Sequence, residues 1–219
     1  METNKTYQKK IDGLISIMKE SGFLNDKKVE LAIRKMPRHE FVPLSNKDEA
    51  YEDKPISIMK NQTISQPSVV SRMTELLDIK EGQKILEIGS GSGWQTAILS
   101  YLVGDGKVYT VERHSELAEF AKKNLEKLRN SNVKVIFGDG NLGLVEEAPF
   151  DRIIITAACK KVPDILLEQL SVNGLLIAPV GGYPQSLVLL KKTNQGIIEM
   201  QNQPGYVFVP LLGKIDETK

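Results

Sequence analysis

The sequence is poor in the residues that build covalent and metallic frameworks. It has one cysteine, Cys159, in 219 residues, so no disulfide can close within the chain and a cysteine-rich zinc site is excluded. Two histidines, His39 and His114, leave too little for a histidine-based centre, and no metal is expected. Neither sign of charge is in excess: 29 Lys and Arg face 28 Asp and Glu, a formal net charge of +1. Nucleic-acid binding draws on clustered basic residues, so this balance argues against a dedicated polyanion binder. No apolar run approaches the thickness of a bilayer, and the opening METNKTYQKKID carries no apolar signal core. The expectation is a cytoplasmic protein, with neither membrane nor nucleic acid among its partners.

What is present is a globular mixture, 41% hydrophobic and 26% charged, long enough to bury a core. Two regions read differently. In residues 1–75, Ile11, Leu14, Ile15 and Met18 recur at helical spacing until Ser21-Gly22. Val29, Ala32, Ile33 and Met36 repeat the pattern until Pro37 stops it. Residues 38–58 have no period and read as an irregular cover. Pro67 opens a third helix with Val70, Met73 and Leu77 on one face. This region is expected to be a helical and irregular extension.

Residues 76–219 are regular. Apolar, β-branched runs stand at 84–88, 107–111, 133–137, 152–157, 174–180, 186–190 and 206–211. Helical stretches at 94–103, 115–129 and 163–171 separate the first five strands, with a weaker helical link over 138–151. Alternation of this kind implies an α/β fold, a mostly parallel seven-stranded sheet with helices on both faces. Gly181-Gly182-Tyr183-Pro184 is too short for a crossover, so 174–180 and 186–190 should form an antiparallel hairpin. By analogy, the pattern resembles the Rossmann-like sheet of class I methyltransferases.

The first strand runs into Leu86-Glu87-Ile88-Gly89-Ser90-Gly91-Ser92-Gly93. Glycines there let the backbone turn sharply and approach a ligand, and amides at the following helix start favour an anion. A dinucleotide fingerprint would need glycine at 94, where this chain has Trp94. The shorter G-x-G-x-G spacing fits a smaller anionic group, such as the carboxylate of S-adenosylmethionine. Glu112, at the end of the second strand, is placed to accept from ribose hydroxyls. Asp139, in Gly138-Asp139-Gly140 at the end of the third, could accept from the exocyclic amine of adenine. Glu87 precedes the loop inside an apolar strand, and either orders the loop amides or sits near the methionine amine.

With these segments in view, the sequence resembles the protein-L-isoaspartate O-methyltransferase family over most of its length. The resemblance is carried by Met36-Pro37-Arg38-His39-Glu40-Phe41-Val42-Pro43, by Gln62-Thr63-Ile64-Ser65-Gln66-Pro67 and by Leu86 to Gly93. Gly138-Asp139-Gly140, Pro179-Val180-Gly181 and Phe208-Val209-Pro210-Leu211 follow in the family's order. The Gln62–Pro67 segment is the most specific. The chain departs from the usual pattern at Ser68, at Ala157-Ala158-Cys159-Lys160-Lys161 and in its short charged tail.

The resemblance implies transfer of a methyl group from S-adenosylmethionine to the free α-carboxylate of L-isoaspartyl residues in damaged proteins and peptides, leaving S-adenosylhomocysteine. It implies Ser65 as the active-site residue and residues 76–219 as the cofactor-binding domain, one structural unit with the extension. Expected cofactor contacts are Thr63, Ile64, Ser65, Glu87, Gly89, Ser90, Gly91, Gly93, Glu112, Arg113, Gly138, Asp139 and Gly140. Substrate contacts are expected at Ser65 and along a strand at Val207 and Val209, by β-addition. A monomer is expected. The alternatives are a methyltransferase with another acceptor, a tRNA base or a tailored peptide, or an inactive binding module.

A carboxylate, with its pKa near about 4, is already ionised at neutral pH and needs no general base. The scarcity of histidine therefore fits the chemistry. The site has to supply alignment and exclusion of water. The Ser65 hydroxyl, beside the helix start at Pro67, suits a hydrogen-bond donor to the carboxylate; the same residue could instead simply cap the helix.

Overall fold

The structure, a computed structural model, describes residues 4–127 and 131–213. Helices α1 (Asn4–Glu20) and α2 (Lys27–Lys35) come first. Asp26 caps α2 by accepting from the amide of Lys28. Short 3₁₀ turns at Arg38–Glu40 and Leu44–Glu49 lead to a two-strand ribbon, β1 (Ile56–Ser57) and β2 (Thr63–Ile64). Helix α3 (Pro67–Leu76) starts on its proline, as expected.

Then come β3 (Lys84–Ile88), α4 (Trp94–Val103), β4 (Lys107–Glu112), α5 (Ser115–Lys127), β5 (Val133–Phe137), β6 (Phe150–Ile155), α6 (Asp164–Glu168), β7 (Leu170–Val180), β8 (Gln185–Thr193) and β9 (Gly196–Tyr206). Among the described residues the main sheet has seven strands in the order β5-β4-β3-β6-β7-β8-β9. Strands β3 to β7 run parallel, and β7-β8-β9 form an antiparallel meander. The Rossmann-like expectation and the Gly181–Pro184 hairpin both hold.

Alternation along the central strands divides the core. Ile85, Val108 and Ile154 pack with Met73 of α3, Leu77 at its C-cap and Leu99 of α4. Leu86, Ile88, Val111 and Ile153 face the other way, onto Leu166 of α6. A third cluster joins Ile11, Leu14 and Met18 to Val29, Ile33, Phe41, Trp94, Ile98 and Leu125. The extension is therefore packed onto α4 and α5.

Three expectations need correction. The link at 138–151 is not a helix but two 3₁₀ turns, Gly140–Leu142 and Val145–Glu147, because Gly143 breaks the run with a left-handed φ of 64°. Helix 163–171 is shorter: α6 ends at Glu168 and β7 already begins at Leu170. The last strand is not 206–211. It is β9, ending at Tyr206, and Val207 and Val209 lie beyond it. That extended tail is held by the Phe208 amide, which donates to Gln185 Oε1, and by an isolated parallel bridge in which the Ala158 amide donates to the Val209 carbonyl and the Leu211 amide to the Ala158 carbonyl. Positions 128 and 129 of the helix expected at 115–129 lie outside the described residues.

Candidate active site

Strand β3 is the switch point of the sheet. The chain leaves it toward β4 and β5 on one side and later returns to β6 on the other, which opens a crevice at the carboxyl ends. Ile88 pairs with Ile155, so Gly89 and Thr156 meet at that edge. Thr156 Oγ1 donates to the carbonyls of Ile88 (2.9 Å) and Gly89 (2.8 Å). Gly89 has φ 97°, and a Cβ there would collide with Thr156 Oγ1. Both facts require glycine. Gly140 is similarly closed in, against Ile88.

A cavity of about 720 Å³ occupies the crevice. The loop Gly89–Ser92, the segment Glu112–His114, Gly140, Thr156 and Ala157 form one wall. Gln62–Gln66 and Asp53 form the opposite wall, and Tyr206–Leu212 borders the opening. The expected residues Thr63, Ile64, Ser65, Gly89, Ser90, Gly91, Glu112, Arg113, Gly140, Val207 and Val209 are thus brought together.

Glu112 organises the first wall. Its Oε2 accepts from the Gly91 amide and its Oε1 from the His114 amide, each at 3.0 Å. A carboxylate has about four acceptor positions, so both oxygens keep capacity toward the cavity.

Other expected residues stand behind the wall. Gly93 has φ 85°, and a Cβ there would lie 3.3 Å from Ala121, so its bareness serves the approach of α4 to α5. Gly138 and Asp139 do not line the cavity. Asp139 Oδ1 accepts from the amide (3.0 Å) and Nδ2 (3.1 Å) of Asn141, which caps the 3₁₀ turn. Glu87 is fully buried under the loop and reaches neither the loop amides nor the cavity; its Oε2 accepts from Thr96 Oγ1 on α4. Burial pushes its pKa up to about 8, and Oε1 has no partner. Cys159 is buried and does not line the cavity; its Sγ lies 3.6 Å from the Pro179 carbonyl.

Ser65 is half-buried on the opposite wall. It is not the helix cap: that position is Gln66, which makes no side-chain cap bond. Asp53 does the capping from outside, Oδ1 accepting from the Ser68 amide (2.9 Å) and Oδ2 from Gln66 Nε2 (3.1 Å). With the helix capped elsewhere, the Ser65 hydroxyl remains available to the cavity.

Asp53, Thr156 and Arg38 were not singled out from sequence. Thr156 carried a usable signal, a hydroxyl at the carboxyl end of an apolar strand facing the crevice. Asp53 sits in aperiodic sequence and carried none; Arg38 lies in the Met36–Pro43 segment that carried the resemblance, but nothing there assigned it a role. Arg38 is buried, and that burial pulls its pKa down to about 10, still charged at neutral pH. His39 is structural, stacked on Tyr7 at 3.7 Å and bonded to the Tyr51 hydroxyl at 2.6 Å. Among the described residues no group of acidic, histidine and cysteine side chains could hold a metal ion, and no helix is long and apolar enough to cross a membrane.

A profile of the family described as protein-L-isoaspartate(D-aspartate) O-methyltransferase matches residues 9–216. A Methanopyrus kandleri protein-L-isoaspartate O-methyltransferase is 45% identical over 97% of this chain and 96% of its own. A Pyrococcus horikoshii protein of the same name is 42% identical over 98% of each. A solved protein-L-isoaspartate O-methyltransferase superposes with a TM-score of 0.82 at 31% identity, covering 93% of this chain and 66% of that one. A Plasmodium falciparum structure described as a beta-aspartate methyltransferase, in complex with S-adenosyl-L-homocysteine, gives a TM-score of 0.82 at 27% identity, covering 91% of this chain and 97% of that one.

Proposed function

The chain belongs to the protein-L-isoaspartate O-methyltransferase family, and from that premise we propose how its cavity divides the work. The enzyme methylates the free α-carboxylate of L-isoaspartyl residues in damaged proteins and peptides. The ester then closes to a succinimide, whose hydrolysis restores part of the material to ordinary aspartyl linkage. S-adenosylmethionine, when bound, supplies a methyl group on a sulfonium, electrophilic enough for a carboxylate to attack.

This chain's residues hold and align. The loop Gly89–Ser92 is shaped for close approach of a small anionic group, and Ser90 and Gly91 would contact the cofactor with Thr63 and Ile64 across the cavity. Glu112 would accept from ribose hydroxyls with its remaining lone pairs, beside Arg113 and Gly140. Glu87, Gly93, Gly138 and Asp139 act from behind, fixing the strand ends and turns that shape the wall. Ser65 would donate one hydrogen bond to the incoming carboxylate, contributing about 1.5–3 kcal/mol to its placement. Val207 and Val209 border the mouth where the peptide enters.

One observation carries this reading: the Thr63–Gln66 segment and the glycine loop line the same cavity. The test is radiolabelled methyl transfer to an isoaspartyl peptide and to its aspartyl twin. Label is expected in the first alone. Label in neither, with the cofactor bound, contradicts the proposed acceptor.

A further inference from the structure

Hydrophobic clusters account for the sheet, but residues 50–65 include only a two-residue strand pair and single turns. Such backbone leaves carbonyls that need donors. Arg38 provides them. It is 1% exposed. Its Nη1 donates to the carbonyls of Ala50 (2.9 Å) and Glu52 (3.3 Å), and its Nη2 to those of Lys54 (2.9 Å) and Ser65 (3.0 Å), with Ile64 at 3.4 Å.

The same guanidinium lies 5.3 Å from the centroid of the Trp94 ring. Trp94 is the first residue of α4, directly after the glycine loop, and its Nε1 donates to the Met36 carbonyl at 2.8 Å. One buried cation therefore touches both the backbone of Ser65 and the residue that ends the glycine loop.

We infer that Arg38 is a positioning residue for methyl transfer, fixing the Ser65 hydroxyl relative to the cofactor loop. The inference rests on the role proposed above for Ser65. A planar fork reaches several carbonyls in one geometry; a lysine in its place keeps charge but not the fork. Displacements of about 1 Å at a reacting group can cost a hundredfold in rate, so Arg38 acts on turnover without touching substrate.

The test is a double-mutant cycle of Arg38→Lys with Ser65→Ala, read as kcat, peptide KM and S-adenosylhomocysteine affinity. Arg38→Lys is expected to lower kcat about tenfold, with cofactor affinity within about twofold of wild type. On the Ser65→Ala background it is expected to cost less than about twofold, because the group it positions is gone. Equal losses on both backgrounds overturn the inference and leave Arg38 a structural residue. A Ser65→Ala enzyme with full kcat overturns the role of Ser65 itself, a failure visible without Arg38. If Arg38→Lys does not fold, Trp94→Phe carries the same cycle: it removes the indole donor and weakens the stacking. It is then expected to lower kcat about threefold in the wild-type background alone, and an equal loss on both backgrounds again overturns the inference.

Discussion

The two walls of the cavity are held by different physics. The wall made by β3, β4 and β6 grows out of a buried parallel sheet, where Ile85, Leu86, Ile88, Ile153, Ile154 and Ile155 are almost wholly enclosed. Its loop geometry is enforced by steric exclusion at Gly89 and Gly140. The opposite wall has little regular structure: Ala50, Tyr51, Ile56 and Ile64 anchor it in the helical core, and hydrogen bonds converging on Arg38 and Asp53 fix its backbone. In the proposed division, the sheet edge holds the constant ligand, the cofactor, together with Thr63 and Ile64, and Ser65 offers its hydroxyl to the variable one, a peptide.

Breaking the sheet wall should give the largest effect. Gly89→Ala brings both an unfavourable φ and a collision with Thr156, each worth about 1–3 kcal/mol, so S-adenosylhomocysteine affinity should fall about a hundredfold in calorimetry. A Thr156→Ala background should recover part of that loss, by removing the collision and leaving the φ penalty. Glu112→Gln should cost about tenfold, because the amides of Gly91 and His114 flank both oxygens and one must then face an NH₂ group.

Legibility in sequence follows the same division. The β-branched runs at 84–88 and 107–111, alternating with helical stretches, identified a mostly parallel sheet; the glycines after the first marked the ligand loop, and the methyltransferase arrangement came by analogy. β9 escaped because Gly196–Tyr206 is almost entirely exposed and mixes Ile197, Ile198 and Met200 with Glu199, Gln201 and Asn202, so no burial pattern marks it. The more apolar 206–211 stretch drew the assignment instead, although it is tethered rather than laddered. Asp139 looked like an open acceptor because its partner, Asn141, forms the turn that it caps. Ser65 was found only through a motif. Arg38, which holds its carbonyl, is one residue in an aperiodic stretch, and its partners lie up to 27 positions away in sequence.

A smaller effect belongs to Glu87, beneath the sheet wall. Its folded pKa, about 8, lies above the ordinary 4.5. Between those values the unfolded chain releases a proton that the folded one keeps, so this residue lowers stability as pH rises through the window, levelling off above it. Glu87→Gln should therefore gain stability relative to wild type between about pH 5 and pH 8.5 in urea titrations. A difference independent of pH would show that the carboxyl is ionised in the fold.

The smallest effect concerns the β1–β2 ribbon, whose tip crosses between the walls. Lys60 pairs with Glu116 on α5 at 2.6 Å, and Ile58 lies over Gly91. Lys60 pulls the exposed Glu116 down to about 2, but exposed pairs contribute little. Glu116→Gln should speed S-adenosylhomocysteine release by no more than about threefold in stopped flow. A larger change would make the ribbon tip a principal holder of the cofactor.

The separation of the two walls is tested most directly in the Ser65→Ala enzyme, by measuring S-adenosylhomocysteine affinity and single-turnover methyl transfer to an isoaspartyl peptide on the same preparation. Affinity should stay within about twofold of wild type while the transfer rate falls about 10- to 100-fold, the loss of one hydrogen bond to an ionised group. An unchanged rate, or a loss of affinity as large as the loss of rate, would contradict the account.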